Sequence, residues 1–136
     1  MLPTNVSRIS RTLVLLVVIA AVLYLALCAA LFAFQRALIY YPQPRAVDSP
    51  ETLLTLPVDE AQVLVSVRSH AGPKALIYFG GNAEDVSRSL PEFDRAFPEH
   101  ALYLLHYRGY GGSSGSPSEE TIARDAMSLF DKVYAD

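Results

Sequence analysis

The stretch ALYLLHYRGYGGSSGSPSE, Ala101 to Glu119, contains an apolar run, a glycine-rich loop and a helix start. Ala101 to Tyr107 is short and almost continuously apolar, as in a strand buried on both faces of a parallel sheet. Ser116-Pro117-Ser118-Glu119 fits a capping box, with Ser116 as cap, Pro117 as first helical residue and Glu119 as reciprocal partner. The helix that follows runs to about Ala135, with Ile122, Ala126, Leu129, Phe130 and Val133 as its buried stripe. Between strand and helix, Gly111-Gly112-Ser113-Ser114-Gly115 spells G-x-S-x-G, the pattern of a serine hydrolase nucleophile.

Position argues against Ser113 as that nucleophile. A nucleophile elbow is a sharp corner, with the strand ending at the first glycine and the helix starting at or just after the serine. Here Arg108, Gly109 and Tyr110 intervene on one side, and the helix waits for Ser116 on the other. An acid and then a histidine should follow the serine, yet His70, His100 and His106 all precede it. The stretch reads instead as a loop, its glycines turning the chain and its serines bonding to backbone. Gly109 to Ser114 also approaches G-x-G-x-x-G. Its sixth place is serine, the helix starts too late to receive a pyrophosphate, and Asp131 falls inside a helix, so no dinucleotide is expected.

Upstream, Lys74 to Phe79 is a second buried-type strand, broken by Gly80-Gly81. Asn82 is placed to cap a helix over roughly 83–97, with Glu84 and Asp85 in its first turn and Val86, Leu90, Phe93 and Phe97 on its apolar face. Pro91 implies a kink or an early break. Ala61 to Arg68 alternates as a strand, with Val63, Val65 and Val67 on one face. Ala46 to Asp59 reads as irregular connection. Leu38 to Tyr41 is either a first strand or an interfacial anchor. Strands alternating with amphipathic helices give an α/β layer fold.

Leu13 to Phe34 carries no charge and, as a helix, reaches about 33 Å, enough for a hydrocarbon core. A signal peptide would have a shorter apolar core ending at small residues, so an uncleaved transmembrane helix over 13–34 is expected. A short cytoplasmic tail over 1–12 precedes it and a domain over 35–136 follows. Arg8 and Arg11 on one side nearly balance Arg36 and Arg45 on the other; the free amino terminus favours the amino end in the cytoplasm and the domain outside. All fourteen acidic residues follow the span, and the formal net charge of the 136 residues is −3. No basic cluster suggests nucleic acid. The single cysteine, Cys28, excludes an internal disulfide and a multi-cysteine zinc site; no metal or cofactor is expected.

Three pieces together, Phe34-Gln35-Arg36-Ala37-Leu38-Ile39-Tyr40-Tyr41-Pro42, Tyr78-Phe79-Gly80-Gly81-Asn82-Ala83 and Tyr107 through Glu119, resemble the α/β-hydrolase superfamily. The nearest branch is that of single-span, membrane-anchored serine hydrolases of esters and lipid thioesters. Gly80 stands where that family usually has a histidine, and His106 where it often has an acid. The resemblance implies a partial α/β-hydrolase sheet with flanking helices, truncated before the nucleophile elbow. It implies an oxyanion-hole backbone donor after the third strand, at Gly81 or Asn82, with Arg108 bracing the glycine-rich loop. The catalytic serine, acid and histidine are expected beyond these residues, so this portion is expected to be inactive alone. In a complete form the substrate would be an acyl ester, thioester or amide. The resemblance also places the strand Lys74 to Phe79 between Ala101 to Tyr107 and a missing neighbour. That open edge is expected to promote self-association. The alternative expectation is a non-catalytic, membrane-anchored module that binds a partner protein.

Overall fold

A computed structural model describes residues 4–46 and 53–135, which form two compact units divided between Leu38 and Ile39. The first is one helix. α1 (Thr4–Ile39) has 36 residues and spans about 54 Å at 1.5 Å per residue. It is long and apolar enough to cross a membrane, and its side chains from Arg8 onward are exposed. Leu38 and Ile39 are its last residues, which rules out the strand alternative for Leu38 to Tyr41. The apolar helical run continues to Ile39, and Tyr40 and Tyr41 are already irregular just before Pro42, which disfavours helix in the residue it follows.

The second unit is a mixed, four-stranded sheet in the order β1–β2–β4–β3, so the chain is α/β. β1 (Leu53–Val58) and β2 (Ala61–Arg68) form an antiparallel hairpin closed by Asp59 and Glu60. β4 (Ala101–Leu105) runs antiparallel to β2, pairing Val65 with Leu105 and Arg68 with Leu102. β3 (Ala75–Phe79) pairs in parallel with β4, from Ala75 opposite Ala101 to Phe79 opposite Leu105. β1 replaces part of the irregular connection expected over 46–59; residues 47–52 lie outside the described residues. Leu54, Leu56 and Val58 alternate toward one core, and Pro57 is tolerated because β1 is an edge of the described sheet.

Between β3 and β4 the expected helix over 83–97 is in two pieces. A 3-10 turn (Val86–Arg88) is capped by Asp85, whose carboxylate accepts the Ser87 N–H at 3.1 Å and its Oγ–H at 2.7 Å. α2 (Leu90–Ala96) then starts afresh with Pro91 in its first turn, where the missing N–H costs nothing. Asn82 therefore caps no helix. α3 (Glu119–Ala135) is entered through a reciprocal pair two residues later than expected. The Thr121 N–H donates to Ser118 Oγ at 3.2 Å, and the Ser118 N–H to Thr121 Oγ1 at 2.9 Å.

Strand alternation divides the core. Leu102 and Leu104 face one side, with Val86, Leu76, Tyr78, Leu90, Phe93 and Phe97. Leu56, Val63, Val65 and Leu105 face the other and meet Leu129 of α3. Arg68 crosses from β2 to the end of α2, donating to the Phe97 carbonyl at 3.0 Å. The expected α3 stripe is corrected in one place: Phe130 is 51% exposed, while Asp125 is 1% exposed and lies inside the unit. Asp125 is there because Arg108 grips it with two hydrogen bonds, Nε–Oδ2 at 2.8 Å and Nη2–Oδ1 at 2.9 Å. Arg108 also donates to the Asp59 carbonyl at 3.1 Å, which joins the glycine-rich loop, α3 and the β1–β2 turn. The Asp125 hydrogen bonds outweigh burial and raise the guanidinium pKa.

Removing one partner strands a buried charge. Arg108→Ala should cost about 3–5 kcal/mol, whereas Arg108→Met with Asp125→Leu should recover most of it. Denaturant unfolding of the full chain in detergent reads both; equal losses for the single and double variants would contradict this account.

Candidate functional site

In open α/β sheets, ligands bind outside the carboxyl ends of parallel strands. At the end of β3 the chain enters the loop 80–85. Gly80 is required there because a Cβ would run into the Val86 side chain. The loop closes on Glu84, whose carboxylate accepts Tyr78 OH at 3.0 and 3.1 Å, the Gly81 N–H at 2.7 Å and Ser89 Oγ–H at 3.1 Å. Burial first, and then the Glu84 carboxylate, raise the Tyr78 hydroxyl pKa. Tyr107 OH donates to the Gly80 carbonyl at 2.8 Å.

The two expected oxyanion donors therefore differ. The Gly81 N–H is committed to Glu84. The Asn82 N–H makes no hydrogen bond among the described residues. The Asn82 side chain is fixed instead: Oδ1 accepts the Tyr41 N–H at 3.1 Å and Tyr110 OH at 3.2 Å, and Tyr110 OH accepts the same Tyr41 N–H at 3.0 Å. Ala83 next to it has φ 60°, a left-handed conformation that costs a non-glycine residue about 1–3 kcal/mol and clusters at functional sites.

The glycine-rich loop borders this region through Tyr110. Its serines are spent on structure. Ser113 is 6% exposed; its hydroxyl donates to the His106 carbonyl at 2.8 Å and accepts the Leu64 N–H at 2.8 Å. Ser114 exchanges bonds with Gln62, main-chain N to O at 2.9 Å and Gln62 N to Oγ at 2.8 Å. The His106 ring turns away from Ser113 to Ser66 Oγ, with Nε2 at 2.8 Å, and lies so close to Gly111 that a Cβ there would strike it. Ser66 and His106 are 4% and 2% exposed, so this serine–histidine pair has no access to a substrate.

Sequence reasoning missed the third part, the strap Tyr41 to Ala46. Besides Tyr41, the strap accepts the Gly111 N–H at the Gln43 carbonyl (2.8 Å). Arg45 Nη1 donates to the Gly111 carbonyl (2.6 Å), and the Ala46 N–H donates to Asp85 Oδ2 (2.7 Å). The signal available was Tyr40-Tyr41-Pro42, an aromatic pair ended by a residue that forces extended backbone. Burial alone would raise the Asp85 pKa; bonds from Ser87 and Ala46 outweigh it and hold the carboxyl below its usual range. Burial lowers His106 to about 4, with Arg45 pushing the same way and Asp85 opposing. Among the described residues, no group of His, Cys, Asp or Glu could hold a metal ion.

Ser113→Ala leaves the Leu64 N–H without an acceptor and should cost about 1–3 kcal/mol in chemical unfolding; a neutral result would remove its role as a clip. His106 is neutral when folded but binds a proton below pH 6.5 when unfolded. Its contribution is full above pH 6.5, falls as the pH drops, and levels off near pH 4 after a loss of roughly 3 kcal/mol. The Asp85 contribution fades chiefly below that window, as the pH falls past 3.8, the ordinary value for this side chain. His106→Asn should flatten the slope between pH 6.5 and 4; an unchanged slope would assign it to other groups.

No family model matches the sequence. The chain is 35% identical over 107 residues to an uncharacterised protein of Mycobacterium tuberculosis (strain CDC 1551 / Oshkosh), covering 68% of this chain and 37% of that protein. A second uncharacterised protein, from the strain ATCC 25618 / H37Rv of the same species, gives the same identity and coverage. The chain thus spans well under half the length of the curated relatives it matches.

Proposed function

We propose that this chain is the amino-terminal portion of a membrane-anchored serine hydrolase of the α/β-hydrolase type, which in complete form cleaves acyl esters, thioesters or amides. α1 is its anchor, with the amino end in the cytoplasm and the domain outside. The observation that carries the reading is the Asn82 N–H, which has no partner among the described residues, in the loop after β3 and beside the open β3 edge of the described sheet. A main-chain donor in the loop after the third strand is half of the oxyanion hole in this fold. The sheet order supports the reading, since β3 is an edge strand next to β4, where the resemblance expects a further neighbour. The greater length of the relatives leaves room for the nucleophile, acid and histidine.

A donor aimed at the developing oxyanion stabilises charge that appears only at the transition state, and losing one typically costs about 10²–10³ in kcat. Glu84 fixes the loop by binding Gly81, and Tyr110 with Tyr41 fixes the Asn82 side chain. The Asn82 main chain is then presented without an internal acceptor.

A second reading has its own observation. The β3 edge is open, Phe79 is exposed, and α3 exposes Met127, Phe130 and Tyr134. A concavity of about 550 Å³ lies between Lys74, Ile77, Phe130 and Tyr134. This surface suits a partner chain, or a second copy, that adds a strand.

A serine-directed fluorophosphonate should leave residues 1–136 unlabelled and label a longer form that continues with a strand and G-x-S-x-G. In that longer form Asn82→Pro, which deletes the N–H, should lower kcat about 10²–10³ fold, with Asn82→Ala nearer the parent. Labelling at Ser113 would overturn the proposal. A stoichiometric complex from membranes, dissolved by Ile77→Pro in β3 and never labelled, would favour the second reading.

A further inference from the structure

The strap has a consequence for where the loop end of the sheet can be. If Leu13 to Phe34 fills the hydrocarbon core, Ile39 lies at most about 7.5 Å beyond it along the helix. Two further residues bring Tyr41 within about 15 Å of the hydrocarbon edge at full extension, and closer with any tilt. The polar layer of the bilayer occupies about 5–8 Å of that distance. Tyr41 is not free to wander, because its N–H is bonded to both Asn82 and Tyr110. Gln43, Arg45 and Ala46 add bonds to Gly111 and Asp85. On that condition the leash keeps Tyr41, and with it the loop residues Asn82 and Tyr110 bonded to it, within about 10 Å of the polar layer.

The geometry points to a membrane-contacting face: the loop end of the sheet, with Tyr41 and Phe79, rests on the headgroup layer of the bilayer that α1 crosses. This rests on the reading of α1 as a membrane anchor. Two features of that end fit a lipid surface. Tyr41 and Phe79 are 54% and 44% exposed, and tyrosine in particular is favoured at headgroup depth. The acids there are already matched by donors, Glu84 by Tyr78, Gly81 and Ser89, and Asp85 by Ser87, Ala46 and an ion pair with Arg88 at 3.5 Å. They present little unsatisfied negative charge to anionic headgroups. A ligand of the site would then arrive from the lipid side.

The test places the full chain in phosphatidylcholine vesicles, with Cys28→Ser and one fluorophore-labelled cysteine at a time. Phe79→Cys reports the loop end, Ala71→Cys the opposite end, and Phe32→Cys the interior of α1. Headgroup-spin-labelled lipid should quench the Phe79 probe several-fold more than the Ala71 probe. A Gly-Ser insert of about ten residues between Ile39 and Tyr41, adding roughly 17 Å of reach, should reduce that difference. Equal quenching at the two sites, with the Phe32 probe quenched by acyl-chain spin label, would overturn the proposal and leave the anchor reading intact. No quenching at Phe32 would overturn both. Hydrogen exchange on the unlabelled chain guards against misfolded variants. Moving from detergent to nanodiscs should slow exchange at 79–84 and 109–112 more than at 70–74, and no such difference would also overturn the proposal.

Discussion

The strand β2 is longer than its partner. It has eight residues, while β4 has five and leaves the sheet after Leu105. Main-chain donors and acceptors buried without partners cost about as much as lost hydrogen bonds, so the first half of β2 has to be satisfied on that side by something else. The glycine-rich loop does it. The His106 N–H reaches the Leu64 carbonyl, Ser113 Oγ takes the Leu64 N–H, and Ser114 closes both bonds with Gln62. The loop is thus a ladder built from serine side chains and irregular backbone.

The rest of the site region is positioned by that ladder. Clipping Ser113 and Ser114 to β2 sets Gly111 against the His106 ring, and only a glycine fits there. Tyr110 is then aimed at Asn82 and Tyr41, and Gly111 is held between Gln43 and Arg45. Arg108 fixes the other side of the loop to α3. A motif that looks catalytic when read as letters is a structural device that orders two neighbouring loops.

Strand and helix identities were legible from the alternation of Ala61 to Arg68, the apolar runs Lys74 to Phe79 and Ala101 to Tyr107 (the latter leaving the sheet after Leu105), and the α3 stripe. β1 was hidden by Pro57, because a proline argues against a strand unless it lies on an edge, and sequence alone does not say which strands are edges. The break in the 83–97 helix was announced by Pro91. Where the helix restarted depended on Asp85 turning back to Ser87 and Ala46, a contact between segments far apart in the chain. The start of α3 moved because Ser118 and Thr121 formed the reciprocal pair that Ser116 and Glu119 also spelled. In the site region, the openness of Gly80-Gly81-Asn82 was readable. That Gly81 would be claimed by Glu84 was a matter of loop geometry. The strap left no periodic trace, since its bonds are nearly all made by main chain.

Pro57 gives the two sheet margins different characters. On β1 it removes one N–H from the outward row, so that margin offers an interrupted template. β3 carries no proline and no charged residue from Ala75 to Phe79, and its margin is a continuous apolar template. The two margins therefore differ as templates, interrupted on the hairpin side at Pro57 and uninterrupted on the parallel side. A polypeptide that paired there in parallel with β3 would have its carboxyl end beside Asn82.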